Sequence, residues 1–409
     1  MEQFISSYRG AKQLAVRAAA DSLSSRPISI DDARLKTFVK AEKLNLSSKS
    51  DPAPRVIQPR DPRYNCVVGP YLKAHEHNVY RAIADVWGGP TVMKGMNAVE
   101  QAAALLDMWS EIPDPCGIGL DASRFDQHVS IPALEFEHSI YNAMFGDKEL
   151  REALTWQLKN HGVAYCPDGR VKYRVNGCRM SGDMNTSLGN CLLMCALVFT
   201  LCQELGVKAR LANNGDDCML ILSRKDAGTV RKRVQEWFLE FGFTMKVEDT
   251  VYEFERIEFC QTRPVFAAGR YVMCRNPHVC MDKDIFCLHP DSNPYELWAG
   301  GVGQAGLALA AGIPILQDFY TALKALGRDS SLKDGSGMSY LASRMESSAL
   351  PITPEARVSF YKAFGIPPWE QREAEETLRN TSVDLTKGLK LTSNQFHAHK
   401  LAFTDQYDA

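Results

Sequence analysis

Lys208-Ala-Arg-Leu-Ala-Asn-Asn-Gly-Asp-Asp-Cys-Met-Leu-Ile-Leu222 reads as an apolar strand, a tight turn and a second apolar strand. Asn-Gly at 214–215 is a strong short-range hairpin signal. A hairpin is therefore predicted, with strands at Lys208–Ala212 and Cys218–Leu222 and the acidic pair Asp216-Asp217 at its tip. Taken alone the pair is ordinary turn chemistry, because Asp suits turns for reasons unrelated to function. Upstream, Gly117-Ile-Gly-Leu120 reads as a short apolar strand that runs into Asp121, with Asp126 five residues further on. Carboxylates at two neighbouring strand ends suit phosphoryl transfer with two divalent ions. That chemistry needs hard oxygen ligands, with water completing the metal shells.

Between the two acidic sites lies Ser181-Gly-Asp-Met-Asn-Thr-Ser-Leu-Gly-Asn190, a polar loop opening a long apolar helix that runs to about Leu205. Thr186 and Asn190 are four apart and share a helix face. Beside Asp126 they suit recognition of a ribose 2′-hydroxyl, which both donates and accepts hydrogen bonds. The same residue types also favour a helix N-cap, and both readings stand at this point.

Elsewhere a helix is predicted at Ala11–Leu23 and helical periodicity at His75–Trp87 and Ala98–Trp109. Residues 49–70 carry five prolines among basic residues and read as extended chain and turns. Residues 160–180 are polar and contain glycine. A helix at about 226–241, a strand near 243–247 and a mainly helical remainder from about 290, broken near 325–340, complete an α+β order.

The chain has 409 residues, enough for two or three folding units, and ordinary composition: 45% hydrophobic, 23% charged. A net charge of −2 excludes a globally basic nucleic-acid binder. Positive charge is local: ten Lys/Arg against four acids between Arg34 and Arg81. Such a run is commonly a solvated face, but upstream of an acidic centre it also suits a channel for a polyanion and metals. The N-terminus has no signal-peptide pattern, and the apolar stretch Cys191–Cys202 is read as too short to cross a bilayer. Twelve cysteines without a C-x-x-C pair point to free thiols in a reducing compartment. Cys274, His278, Cys280, Cys287 and His289 match no zinc spacing, so a structural zinc is rejected.

Several ordered strings, over roughly residues 5–290, resemble the RNA-dependent RNA polymerases of tombusviruses and their carmovirus-like relatives. They are Phe38–Lys43 (FVKAEK), Asp51–Arg60 (DPAPRVIQPR), Val92–Asn97 (VMKGMN), Gly119–His128 (GLDASRFDQH), Ser181–Asn190, Asn214–Asp217 (NGDD) and Glu258–Pro264 (EFCQTRP). The resemblance implies a right-hand polymerase fold of fingers, palm and thumb, with an antiparallel palm sheet flanked by helices and a mainly helical thumb. Its expected division is fingers at 1–85 and 129–180, palm at 86–128 and 181–270, and thumb at 271–409.

It implies Asp121 and Asp216 as ligands of two Mg²⁺ or Mn²⁺ ions, with Asp217 as a closely associated carboxylate. Asp126, Ser181 with Gly182, Thr186 and Asn190 look like the set that reads the incoming ribose. Arg55, with Lys40 and Lys43, resembles the basic element that clamps the triphosphate, which Lys49 or Arg60 would join. Glu258, Phe259, Cys260 and Gln261 resemble the primer grip. Lys246 stands where related polymerases carry a lysine that protonates the pyrophosphate leaving group, though it also reads as an exposed strand lysine. Implied partners are template and nascent RNA, ribonucleoside triphosphates, a viral replication protein and host membrane factors. The expected location is the host cytoplasm, at membrane-associated replication complexes, through regions or partners outside this chain. Family replicases are usually longer, with a membrane-associating region upstream of the polymerase, whereas this sequence begins near the polymerase itself.

Two rivals remain. A reverse transcriptase needs a bulky residue excluding the 2′-hydroxyl, where this chain offers Asp126 and Asn190. A non-catalytic RNA-binding scaffold of a replication complex accommodates the basic patch but gives the carboxylates no task.

Overall fold

The computed structural model describes residues 1–42, 53–287, 295–327, 338–342 and 344–380. Lys43, Lys49, Asp51, Pro52, His289 and most of the break at 325–340 lie outside the described residues. Contacts divide the chain into two units: Met1–Lys94 with Met108–Thr250, and Gly95–Asp107 with Val251 onward.

Among the described residues the first unit contains eight strands: β1 (Leu35–Val39), β2 (Val56–Ile57), β3 (Pro115–Ala122), β4 (Lys159–Cys166), β5 (Gly169–Asn176), β6 (Ala209–Asn213), β7 (Asp217–Ser223) and β8 (Met245–Val251). They form two sheets, ordered β2-β1-β4-β5 and β6-β7-β3-β8. In the second sheet β3 and β7 run antiparallel from Pro115 opposite Ser223 to Asp121 opposite Asp217. Ile118, Leu120, Leu220 and Leu222 are buried together with Leu192, Val198 and Leu201 of the Thr186–Leu205 helix and Val230 and Phe238 of the Arg224–Glu240 helix. Each such side chain contributes about 1.5–3 kcal/mol by leaving water. This core holds the carboxyl-bearing strand ends.

The hairpin, the Gly10–Leu23 helix, the Ala98–Glu111 helix and the helix after Ser181 form where the sequence predicts them. Three expectations need correction. The segment 49–70 is not extended throughout, because a 26-residue helix starts at Pro62 and runs to Trp87. Proline at the first helical position lacks only an N–H that would be orphaned anyway, and the Asp61 side chain accepts from the Arg63 N–H at 3.0 Å. Pro70 inside the helix is tolerated beside the buried stripe Tyr64, Val67, Val68 and Leu72. Second, the polar stretch near 160–180 is a hairpin of two eight-residue strands, β4 and β5. Third, the apolar stretch read as too short for a membrane belongs to a 20-residue helix, long and apolar enough to cross one, that is largely buried inside the protein. All twelve cysteines are free thiols.

In the second unit a hairpin, β9 (Thr262–Ala267) and β10 (Arg270–Arg275), shares a core with helices Tyr295–Ala310, Leu316–Ala325, Pro354–Phe364 and Pro368–Asn380. Val265, Ile313, Phe319 and Phe360 are central to it.

Candidate active site

The turn joining β6 to β7 is built by Asn213, which is fully buried. Its side chain donates to the Gly215 carbonyl at 2.7 Å and accepts from the Gly215 N–H at 3.1 Å. The Asn214 N–H donates to the Asp217 carbonyl at 2.9 Å, so Gly215 and Asp216 are the central residues of the turn. Gly215 has φ 96°, the positive value that a type II′ hairpin turn requires at its first central position. Asp216 is thereby presented at the corner, and Asp217, the first residue of β7, lies directly across from Asp121.

The chain around Val92 reinforces this tip: Val92 bridges to Asn213, and the Met93 N–H donates to the Asn213 carbonyl at 2.9 Å. Lys94 follows, and its charge acts on Asp216, as does that of Arg55. The Asp216 carboxyl is nevertheless held above its ordinary range, first by the protein packed around it and then by the charge of Asp121. Its surface stays open to solvent, so the crowding is partial. Arg55 is pinned by Glu42, which accepts from Nε at 2.7 Å and from the guanidinium's terminal nitrogen. Lys40 Nζ also lies 3.5 Å from Glu42.

β8 adds two charged groups. The Glu248 carboxylate lies so close over Gly119 that any side chain there would collide with it. The Ser123 N–H donates to the Thr244 carbonyl at 2.9 Å. Together these contacts align the exposed Lys246 with Asp121 across the strands.

Asp126 sits at the start of a single helical turn, Phe125–His128, and accepts from Asn190 Nδ2 at 2.7 Å. Burial raises the Asp126 carboxyl above its usual range, against the Asn190 bond and the Arg179 charge. Asn190 is held from its other side, because its Oδ1 accepts from Arg179 Nε at 3.0 Å. Arg179 is in turn paired with Glu137, both side chains being wholly inaccessible. Glu137 also accepts from Tyr141 Oη at 2.9 Å and Asn185 Nδ2 at 2.6 Å. This pair presses on the helix at Gly189, where a Cβ would overlap both side chains.

The Thr186 hydroxyl points back onto the loop carbonyls of Met180 and Asp183, at 2.8 and 3.0 Å. These bonds tie the first residue of the helix back to the loop, and the helix N-cap is Asn185, not Thr186. Gly182 is exposed, with its backbone against Gln58 and Pro59, and the Ser181 carbonyl accepts from the Gln58 N–H at 2.7 Å. Arg60 does not join a triphosphate clamp: it is buried, with Nε on Asp183 at 2.5 Å and Nη2 on Asn160 at 2.6 Å.

Glu258, Phe259, Cys260 and Gln261 form a tight turn in the second unit, with Cys260 and Gln261 both at positive φ (51° and 60°). Phe259 and Thr262 exchange backbone hydrogen bonds at 2.9 and 3.0 Å. The Phe259 ring is fully buried, so it anchors the turn, while Glu258 pairs with Arg263 at 2.7 Å.

Residues 1–386 match the family model for viral RNA-dependent RNA polymerases. The chain belongs to that family. Similar proteins named RNA-directed RNA polymerase come from tobacco necrosis virus (strain A), turnip crinkle virus and tomato bushy stunt virus (strain Cherry). They are 47%, 46% and 45% identical, each over 93% of this chain and over 54%, 50% and 47% of their own lengths. The chain thus spans about half the length of these relatives. Membership of the polymerase family implies the right-hand fold, and the mixture of helices and antiparallel sheet agrees with it.

Glu248, Lys94, Arg179 and Glu137 join these contacts without a motif of their own that assigns them a task. Lys94 had a signal, since it lies inside the Val92–Asn97 string. The other three had none, because their contacts exist only after folding.

Proposed function

We propose that this polymerase-family chain carries the catalytic centre of a positive-strand RNA virus replicase, joining ribonucleotides on an RNA template. The supporting observation is the registration of Asp121 opposite Asp217, with Asp216 at the adjoining corner. Asp121 and Asp216 would hold the divalent ions, with Asp217 beside them. Among the described residues no three His, Cys, Asp or Glu side chains form a ready-made cage. Mg²⁺ generally takes one or two carboxylates and fills its shell with water and substrate phosphates. The crowding of negative charge at Asp216 fits a cation there. Two such ions, when bound, activate the attacking 3′-hydroxyl and offset charge on the transferring phosphoryl group.

The chain's own groups divide the remaining work. Arg55, Lys40 and Lys94 hold the triphosphate, and Ser181 and Gly182 border the nucleotide. Lys246, aligned with Asp121, would give a proton to the pyrophosphate leaving group. Asp126 and Asn190 read the 2′-hydroxyl. Fingers at 1–85 and 129–180, palm at 86–128 and 181–270, thumb at 271–409 and a primer grip at Glu258–Gln261 are part of the same reading. So are a viral replication protein and host membrane factors as partners, with the work done at membranes in the host cytoplasm.

The direct test is incorporation. The purified chain, given an RNA template, Mg²⁺ or Mn²⁺ and four ribonucleotides, is expected to make complementary RNA. No product on any template, under conditions where a relative works, overturns the proposal. Asp126→Ala is expected to lower the preference for ribo- over deoxyribonucleotides by about tenfold or more, with a smaller loss of kcat, since a site built around a substrate hydroxyl discriminates strongly through it. Unchanged discrimination in single-nucleotide kinetics would remove Asp126 from this role.

A further inference from the structure

We propose that one face of the sheet β2-β1-β4-β5 binds single-stranded RNA outside the carboxylate centre. The choice of RNA rests on the polymerase reading above; the face itself rests on register and charge. Residues paired across strands share a face of the sheet. Lys36 pairs with Val163, which pairs with Lys172 on its other side; His161 pairs with Arg174, and Tyr165 with Arg170. All of these are exposed except Val163, which is partly so. The opposite face is buried at Leu35, Asn160 and Gly162, with Thr37 Oγ1 2.6 Å from Tyr173 Oη, and carries the aliphatic side chains Val39 and Val171 where it is exposed.

The outward face is rich in uncompensated positive charge. Between Lys159 and Asn176 there are four Lys/Arg and one acid, Asp168 at the turn. Among the described residues Lys159, Arg170, Lys172 and Arg174 have no ion-pair partner, whereas Lys36 has Asp61 at 3.4 Å. Cations on proteins usually pair with acids, and four without an ion-pair partner attract a polyanion. Flat rings stand among them: Tyr165 is 75% exposed, and Phe38, two residues beyond Lys36 on β1, is 53% exposed. A cleft of about 100 Å³, lined by Arg34, Trp156, Lys159 and His161, continues the surface at the far end of β4.

Cations interleaved with exposed rings are the arrangement that follows a phosphate backbone while stacking unpaired bases. A duplex hides its bases and would leave Tyr165 without a role. A membrane surface would use the cations but calls for an apolar band, and Val163 is the one aliphatic side chain among these paired positions.

The test uses the triple variant Arg170→Ala/Lys172→Ala/Arg174→Ala and, separately, Tyr165→Ala. All four residues are exposed, so thermal midpoints should match the parent. Fluorescence anisotropy with labelled single-stranded and duplex RNA, across a salt series and without nucleotides, reads binding apart from catalysis. The triple variant is expected to bind single-stranded RNA at least tenfold more weakly. The slope of log affinity against log salt should fall by about 2, at roughly 0.7 for each phosphate no longer neutralised. Tyr165→Ala should weaken single-stranded but not duplex binding. Unchanged affinity and slope in the triple variant overturn the proposal. So does a variant that loses binding to phosphatidylserine vesicles while its RNA binding is intact. A parent that binds RNA through this face yet makes no RNA would sink the polymerase reading and leave this one standing.

Discussion

Asp216→Asn is expected to abolish nucleotide incorporation while leaving the fold and RNA binding intact. The substitution keeps the size of the side chain and an acceptor oxygen at the hairpin corner, so the turn built by Asn213 and Gly215 is undisturbed. What disappears is a negative charge. Coordination of a catalytic ion is worth several kcal/mol of transition-state stabilisation, which converts to a rate loss of about three orders of magnitude or more. Stability should move the other way, if at all. The Asp216 carboxyl is held above its ordinary range by the protein packed around it and by Asp121, so its ionised form is somewhat disfavoured in the folded chain even though its surface is open to solvent. Removing the charge relieves that repulsion, and the thermal midpoint at neutral pH should stay level or rise slightly. Kinetics and a melting curve on one preparation decide the matter. Wild-type incorporation by the Asn variant would assign the chemistry elsewhere; lost incorporation with a lowered midpoint would make Asp216 a structural residue. A non-catalytic scaffold would keep its RNA binding and show no other change.

The hairpin that carries Asp216 was legible because turn chemistry and apolar strands are local properties, and both lie within fifteen residues. Asp121 and Asp126 were legible for a similar reason, as acids breaking or following an apolar run. The strands β4 and β5 were not, because their exposed face fills alternate positions with Lys, Arg and His and interrupts the apolar pattern. Proline counting misled at Pro62, where position at a helix start mattered more than residue type. Charges were the hardest to place. Arg55 and Arg60 are five apart in one basic segment, yet one is exposed and paired with Glu42 and the other is buried on Asp183. Nothing local separates them; the carboxylate that draws Arg60 inside, Asp183, lies more than a hundred positions away.

The same long-range assembly underlies the largest expected loss of stability, from Glu137→Ala. Glu137 and Arg179 are a fully inaccessible pair, and the charge of Glu137 keeps the guanidinium protonated against the pull of burial. Truncating Glu137 leaves a buried cation unpaired, which costs about 3–5 kcal/mol. It also removes the acceptor for Tyr141 and Asn185. Against a total stability of about 5–15 kcal/mol this is severe, and the midpoint should drop by on the order of 10 °C. Stability and nucleotide choice then come apart in a double variant. Glu137→Met with Arg179→Met exchanges the ion pair for unbranched apolar side chains, and such exchanges often restore what the single truncation loses. Asn190 would still lack the Nε donor that orients its amide toward Asp126. A double variant with a recovered midpoint but a reduced preference for ribonucleotides makes the pair a positioning device for Asp126 and Asn190. Recovery of both makes it packing alone, and recovery of neither means that the hydrogen bonds to Tyr141 and Asn185 carry the stability.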